Sequence, residues 1–600
     1  MLTLRHLLNI KVNVGRHFDT TSTASLGMNT IVVLLPLALA CLWLYRRHKL
    51  SFSITDVPGP RAETFWLGNL RQLMREQVGE TDFKWQREYG RVVRFKAPLG
   101  VSTPLSLFPP LRERLTQVYS WAGGSLVQVR EDKRRALCAG HGDGKRDKRC
   151  RRCFSAVCED HRRMRRVLSP AFGMKECKAL VPVFRDSLIQ ELEDGLVLSK
   201  NGAEVVDVPT AVGRATLDAL GRAAFAYDFG ALEGRHDELA SSLHDFITKG
   251  FGRPSNWKIF LQGVMARVPL RLLSPMAYYP SEGLSFLRRH VRLCHGVARE
   301  LVGRKTEELA EGRMGKDALS LIDGLDGSCA VKANTSETER YRLSDEELLP
   351  QLATILSGGH ETTTNTLGWI ILELARHPEK QRRLRAEIVE AHQRAQSELS
   401  YDEIAALPYL SAVVKETFRF DTVVPHLFRE ATRDDVLPLS EPLKMSSGKV
   451  VSEILVPKGT RIVISNVAYN LSEMWGHDSR MWRPERWLDG SIRGPTSHKS
   501  DSAAEHENPS PAAVGVVDNL MSFGSGHRVC LGWRFALVET QIFVFELVKR
   551  LSFEVTEETE EGKVRKENCL VMQPFVEGRE EMGYWLPIRI RLVDANAVEK

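Results

Sequence analysis

The sequence predicts a predominantly helical chain with small β-sheets, an α+β class, and three observations carry that reading. From about residue 165 to 425, apolar stripes recur at helical spacing and are broken only by short polar turns. Strand-like pieces are short, around Val451–Val456 and Thr460–Ser465, the second entered by the turn Pro457-Lys458-Gly459. After Cys530 a run from Trp533 to Val548 is apolar enough to read as a mostly buried helix.

Six hundred residues exceed the usual domain length, yet one large helical domain also fits that size. Hydrophobic residues make up 43% and charged residues 26%, as in an ordinary globular protein. The 83 basic and 76 acidic side chains leave a formal charge of +7, too mild to argue for nucleic acid. A weakly basic surface is compatible with an anionic membrane face or an acidic redox partner. Ten scattered cysteines lack the paired spacing of a secreted disulfide framework, so the main body is read as facing a reducing compartment.

The N-terminus reads as an address. No charged residue occurs from Thr20 to Tyr45, and Ile31–Tyr45 is almost wholly apolar. That core is shorter than the roughly 20 residues of a comfortable membrane span, but counting from Leu26 makes it just long enough. Pro36 is tolerable in such a helix. Arg46, Arg47 and Lys49 follow at once and predict a cytosolic C-terminal side. Small cleavage-site residues are missing after Tyr45, so residues 28–47 are expected to be an uncleaved signal anchor. Residues 1–27 carry Arg5, His6, Lys11 and Arg16 amid Ser and Thr. They read either as an organelle presequence or as an extension upstream of a natural start at Met28. Residues 48–60 form a basic, Pro-rich linker, in which Pro58-Gly59-Pro60 is a stiff joint between membrane and body. The main domain is expected over 61–600.

The remaining elements follow in chain order. Glu159–Arg166 sets His161 and Arg165 on a basic stretch, which by itself reads as a solvated helix face. Ser344-Asp345-Glu346-Glu347 has the spacing of a capping box and opens a long helix. Inside it lies Gly358-Gly359-His360-Glu361-Thr362-Thr363. Two interior glycines cost roughly 1 kcal/mol each relative to alanine, and close approach of a bulky ligand would offset that. Glu361 and Thr362 are an acid and a hydroxyl able to relay protons from solvent. The alternative is that Thr362 bonds its own i−4 carbonyl and bends the helix. Glu416 and Arg419 stand three apart in a helix starting near Pro408, a common surface pair when taken alone. Residues 489–516, rich in Ser, Pro, Gly, His and charge, read as a flexible surface insertion.

Phe523-Gly524-Ser525-Gly526-His527-Arg528-Val529-Cys530-Leu531-Gly532 carries the chemistry. A sulfur at a helix N-terminus feels the positive end of the macrodipole, which favours thiolate. Gly524 and Gly526 can take positive φ and let the backbone approach a flat ligand. Arg528 can reach an anionic group beside the sulfur. A buried cysteine opening an ordinary helix is the plain alternative.

Phe523, Gly526, Arg528, Cys530 and Gly532 match the fixed positions of the haem-binding loop of the cytochrome P-450 family. The chain resembles that family from roughly Pro58 onward. The resemblance implies the family's fold and haem b held by an axial thiolate from Cys530. It further implies that Glu361 and Thr362 serve dioxygen on the distal helix. Trp482-Arg483-Pro484-Glu485-Arg486-Trp487 resembles the segment that supplies a second arginine, so Glu416, Arg419 and Arg486 would form a buried structural triad behind the loop. Arg429, after Pro425, would reach one haem propionate, and His161 with Arg165 the other.

The implied activity is that of a membrane-anchored haem-thiolate monooxygenase, which inserts one atom of dioxygen into a lipophilic small molecule. No flavin or nicotinamide fingerprint is evident, so electrons are expected from a separate NADPH-dependent diflavin reductase, with cytochrome b5 as a further donor. Membrane lipid is an expected partner and nucleic acid is not. The expected location is the endoplasmic reticulum membrane, single-pass, with the catalytic domain facing the cytosol. The tract Arg429–Asp435 and the Ser-rich late insertion look fungal rather than animal among microsomal members. Two rival readings keep the haem: an isomerase or dehydratase needing no reductase, and an inert haem- or lipid-binding member. The intact Glu361-Thr362 pair favours oxygen activation.

One stretch departs from the family pattern. Residues 102–158 should hold strands and a short helix, yet they read as Arg-, Lys- and Cys-rich text. They are taken as a divergent surface loop or a faulty translation of the gene. His141, Cys150, Cys153 and Cys158 also admit a zinc reading, weakened by the lack of a second close pair. Phe420–Pro425 carries fewer prolines than the family shows, which bears on specificity.

Overall fold

Apolar faces at helical spacing produce the framework. In chain order, the longer helices are α1 (Glu80–Tyr89), α2 (Glu159–Leu168), α3 (Val181–Asp194), α4 (Val208–Phe225) and α5 (Asn256–Met265). There follow α6 (Glu282–Ala310), α7 (Asp345–Arg376), α8 (Pro378–Arg394), α9 (Pro408–Phe420) and α10 (Trp533–Arg550). This computed structural model describes residues 54–98, 102–107, 159–194, 203–225, 227–231, 238–244, 252–265, 282–310, 345–395, 398–431, 433–458, 460–489 and 515–593. They all lie within one compact unit, Ser53–Lys600.

The helix ends show why they fall where they do. Both α8 and α9 start on proline, whose fixed φ and missing N–H suit a first turn. The orphan amides of Tyr409 and Leu410 in α9 each donate to the Glu387 carboxylate of α8 at 2.8 Å. That one side chain caps α9 and fixes it against its neighbour. α7 and α10 carry the centre of the core, with Trp369, Ile370, Leu372, Ile542 and Phe543 fully buried.

Four small sheets surround the helices. β1 (Val92–Lys96), β2 (Ser102–Leu107), β7 (Arg461–Ser465) and β4 (His426–Glu430) form one sheet in the order β1-β2-β7-β4, with only β2 and β7 parallel. β5 (Asp435–Lys444) pairs with β6 (Val450–Val456). β3 (Ala203–Asp207), β11 (Pro587–Leu592) and β8 (Leu551–Val555) make a third sheet, and β9 (Val564–Cys569) with β10 (Val571–Val576) a fourth. The pieces expected near Val451–Val456 and Thr460–Ser465 are thus β6 and β7.

One expectation needs correction, and one segment can be placed. Residues 102–107, inside the stretch read as departing from the family pattern, form a strand with partners on both sides. Pairing to β1 and β7 supplies what its own sequence does not announce. Pro58–Pro60, expected as a stiff joint, lies against the body. Arg94 N donates to Pro58 O at 2.9 Å, Val57 is fully buried, and a Cβ at Gly59 would fall 1.8 Å from Arg94 O. Only glycine fits there, because the chain lies flat on β1.

The expected anchor at 28–47, the extension 1–27, Ser344, His141, Cys150, Cys153, Cys158 and most of the 489–516 insertion lie outside the described residues. Among the described residues, no helix is long and apolar enough to cross a membrane.

Candidate active site

The loop that presents Cys530 is shaped by its glycines. Gly524 and Gly526 take φ of +68° and +72°, a region that L side chains rarely enter. Gly524 N donates to Met521 O at 2.8 Å, Val529 N to Gly526 O at 3.1 Å, and Cys530 N to Phe523 O at 2.8 Å. The last bond closes the loop across its neck and aims the cysteine from just before α10, whose N-cap is Gly532. Phe523 is fixed from behind by the ring of Phe418 on α9, edge-on at 5.0 Å. Phe535, one turn into α10, packs edge-on against Phe184 of α3 at 5.0 Å.

The Cys530 side chain is accessible by area, yet burial among surrounding atoms is the largest influence on its thiol. Burial pushes the thiol above its ordinary pKa, while the Gly532 backbone and the Arg165 charge pull it back without prevailing. Burial thus opposes the pull of the helix terminus toward thiolate, and a bound metal would favour the thiolate further.

Cations gather on the same side of the loop. Arg165 Nη1 of α2 donates to Val529 O at 2.6 Å. His161, one turn earlier and buried, has its pKa pushed down to about 3 by burial first, then by Arg528, Arg165 and His527. Every charge acting on this imidazole is positive, so the cluster is organised to receive an anion. Arg429 comes from β4, the strand whose Leu427 would lie 3.3 Å from a Cβ at Gly524. It is buried, and its guanidinium donates to Phe428 O at 3.0 Å, with no carboxylate paired to it among the described residues.

The glycine-rich part of α7 carries Glu361 and Thr362. The helix continues unbroken through Gly358 and Gly359. The two glycines differ: a Cβ at Gly358 would meet nothing within 4 Å, whereas one at Gly359 would touch Leu220 of α4 at 3.0 Å. Gly359 lets two helices approach, and Gly358 leaves room beside its own. Thr362 Oγ1 donates to Gly358 O at 2.8 Å, as the plain reading of that residue expected, so its lone pairs remain to accept. Glu361 is buried and accepts from Gln573 Nε2 of β10 at 3.4 Å.

Behind the loop, Glu416, Arg419 and Arg486 are fully buried together. Glu416 accepts from Arg419 Nε at 2.9 Å and Nη2 at 2.7 Å, and from Arg486 Nε at 2.9 Å. Arg483 N at 2.8 Å and Trp487 Nε1 at 3.0 Å complete its acceptor sites. The arginines spend their other donors on backbone and on the Asp478 carboxylate, whose Oδ1 accepts from Arg486 Nη1 at 2.9 Å. Arg419 binds the carbonyls of Asn470, Ser479 and Met481, and Arg486 those of Trp475, Asp478 and Met481. Asn470 Oδ1 in turn accepts from Met521 N at 3.0 Å, which carries the brace into the cysteine loop.

Three neighbours of the site escaped the sequence reading. Gln573 sits 212 positions from Glu361, and no local signal joins them. His527 lies inside the motif, where the sequence gives it no role of its own. Glu539 was the one legible omission, an acid in the apolar run after Cys530. It is fully buried on α10 and held neutral, its pKa pushed up to about 8 by burial and eased only slightly by the Thr363 hydroxyl of α7. That hydroxyl donates to Gly359 O at 3.3 Å, and neither Glu539 oxygen gains a full hydrogen bond.

A soft sulfur just before α10, with Arg165, Arg528 and His161 beside its loop, suits an iron porphyrin that carries carboxylate arms, and so fits a haem-thiolate protein. The family model for cytochrome P-450 matches residues 129–575, and the chain belongs to that family. It is similar to cytochrome P-450 monooxygenase 81 of Postia placenta, 29% identical over 92% of this chain and 95% of the relative. Monooxygenase 128 of that fungus is 31% identical over 90% and 92%. Monooxygenase claQ of Ampulloclitocybe clavipes is 29% identical over 90% and 94%. The chain is thus a fungal-type cytochrome P-450 monooxygenase that uses haem iron.

Proposed function

We propose that Cys530 is the axial ligand of the haem iron, that His161, Arg165, Arg528 and Arg429 hold the propionates, and that Glu361 and Thr362 supply protons for dioxygen reduction. The observation that carries this reading is the wholly positive surroundings of His161 beside the Cys530 loop. Haem, when bound, supplies the electron transfer and oxygen chemistry, and the thiolate favours O–O cleavage. The chain's own residues do the rest. Phe523, Gly524 and Gly526 hold the sulfur at a fixed exit from the loop. Gly358 leaves space against the distal helix, and the Thr362 hydroxyl, its proton spent on Gly358 O, can accept a hydrogen bond there. The Glu416–Arg419–Arg486 cluster keeps the loop in register.

The substrate is proposed to be a lipophilic small molecule that gains one oxygen atom, with electrons from an NADPH-dependent diflavin reductase and cytochrome b5 as a further donor. Residues 28–47 would anchor the chain in the endoplasmic reticulum membrane, ahead of a linker to residue 60 and a catalytic domain at 61–600 in the cytosol. Reduced, CO-treated protein should show the red-shifted Soret band of thiolate-ligated haem, and Cys530→Ser should abolish it. A globin-like band in the parent protein would overturn thiolate ligation. Reconstitution with the reductase should give NADPH consumption that depends on it and on dioxygen.

A further inference from the structure

β4 is an edge strand, paired with β7 along one side only. Its side chains alternate, so His426 and Phe428 project from one face, Leu427 and Arg429 from the other. The cross-strand partners on β7 show where each face goes. Ile464, opposite Leu427, and Ile462, opposite Arg429, belong to the main core. Val463, opposite Phe428, belongs to a smaller cluster with Trp85 of α1 and Phe95 of β1. The Arg429 face therefore meets the cysteine loop, where Leu427 lies 3.3 Å from a Cβ at Gly524. The His426 face meets α1.

On that second face the strand is bolted down by a buried ion pair. His426 Nε2 donates to Asp82 of α1, at 2.9 Å to Oδ1 and 3.1 Å to Oδ2, and both residues are buried. Asp82 stands in the first turn of its helix, where the dipole favours an anion. Burial pushes its carboxyl up, but the His426 ring and the Ser465 hydroxyl outweigh that and hold it below its usual range. Ser465 is the residue opposite His426 on β7, so the acid seats against both strands at once. An ionised carboxylate can only accept, which fixes a proton on His426 Nε2 and gives the pair a single arrangement. Backbone bonds to β7 set the register of β4, yet a sheet edge can still twist about them. A buried, charge-assisted bond on the far face removes that freedom. Arg429 follows three residues on, about 10 Å along the strand, so a small rotation at His426 displaces its guanidinium.

We propose that Asp82 and His426 are positioning residues for Arg429: they clamp β4 to α1 and so set the reach of the Arg429 guanidinium toward a haem propionate. This role rests on the propionate contact proposed for Arg429. Neither Asp82 nor His426 touches the haem, and both act through the strand.

The test uses the full-length, haem-loaded protein and four variants: Asp82→Asn, His426→Gln, Arg429→Gln, and Asp82→Asn combined with Arg429→Gln. The first readout is the propionate bending band in the resonance Raman spectrum of the ferric protein, which responds to hydrogen bonds at the haem carboxylates. Arg429→Gln should shift this band, and Asp82→Asn should shift it in the same direction by less. His426→Gln keeps a donor to Asp82 and should fall between Asp82→Asn and the parent. The second readout is the rate of haem loss to excess apomyoglobin. Asp82→Asn should raise it about fivefold in the parent and add nothing once Arg429 is replaced. A merely structural role would leave the band in place and speed haem loss equally in both backgrounds. If Arg429→Gln shifts the band while Asp82→Asn and His426→Gln match the parent, the clamp falls and the propionate contact stands. If Arg429→Gln leaves the band unmoved, the contact falls and takes the clamp with it.

Discussion

Arg165 Nη1 donates to the carbonyl oxygen of Val529 at 2.6 Å, pinning helix α2 to the residue that precedes Cys530. A hydrogen bond from a charged donor contributes about 1.5–3 kcal/mol. Arg165→Ala should therefore weaken haem retention by roughly 10-fold or more, measured as haem per protein after gel filtration. Arg165→Lys keeps the charge without the planar fork and should fall between the two.

Glu416 pairs with two guanidinium groups that have no exposure to water, and Asp478 supplies the second carboxylate at Arg486. Glu416→Leu should destabilise the protein by about 3–5 kcal/mol, because it strands the Arg419 charge in the interior and leaves Arg486 only Asp478. Thermal unfolding with the haem Soret as a second probe checks this, and the two transitions should drop together. A loss confined to the Soret signal would contradict a structural brace.

Gly358 and Gly359 of α7 should respond oppositely to alanine. At Gly358 a methyl group meets open space, and removing glycine from a helix interior is worth up to about 1 kcal/mol, so Gly358→Ala should raise the melting temperature. At Gly359 it presses on Leu220 at 3.0 Å, and overpacking of this kind costs about 1–3 kcal/mol. Comparing the two single variants by thermal melting decides whether helix crowding differs as described.

Burial raises the Glu539 pKa from 4.5 to about 8, which fixes the sign of a pH effect. The unfolded chain releases this proton near 4.5 while the folded protein keeps it, so stability is full below that pH and declines as pH rises toward 8. The loss amounts to about 3 kcal/mol at pH 7. Glu539→Gln should flatten this decline in a melting series from pH 4.5 to 8. Glu373, pushed up to about 7 by burial and then Asp421, contributes with the same sign and remains in the variant.

Where interactions are local, the sequence was readable. The start of α9 at Pro408, the Glu416–Arg419 spacing and the glycines of the Cys530 loop depend on neighbours a few positions away. Arg486 was legible only because Trp482–Trp487 carries a motif, since 70 residues separate it from Glu416. The raised thiol of Cys530 was not legible, because desolvation belongs to the packed body and a helix terminus to the chain. For the same reason the docking of Gly59 on Arg94 and the pairing of Ser102–Leu107 were missed. Each is decided by a surface that forms elsewhere.

The backbone from Asn470 to Met481 lends five carbonyls to Arg419 and Arg486 and is largely irregular apart from a short turn of 3₁₀-helix. Its shape is therefore a guest of α9 rather than a property of its own strands or helices. Such a segment cannot acquire its final path until the helix has docked, so it should join the folding nucleus late and leave it with the helix. Slow amide exchange in this stretch would then report the opening of α9, and the two regions would share one protection factor despite lying more than fifty residues apart.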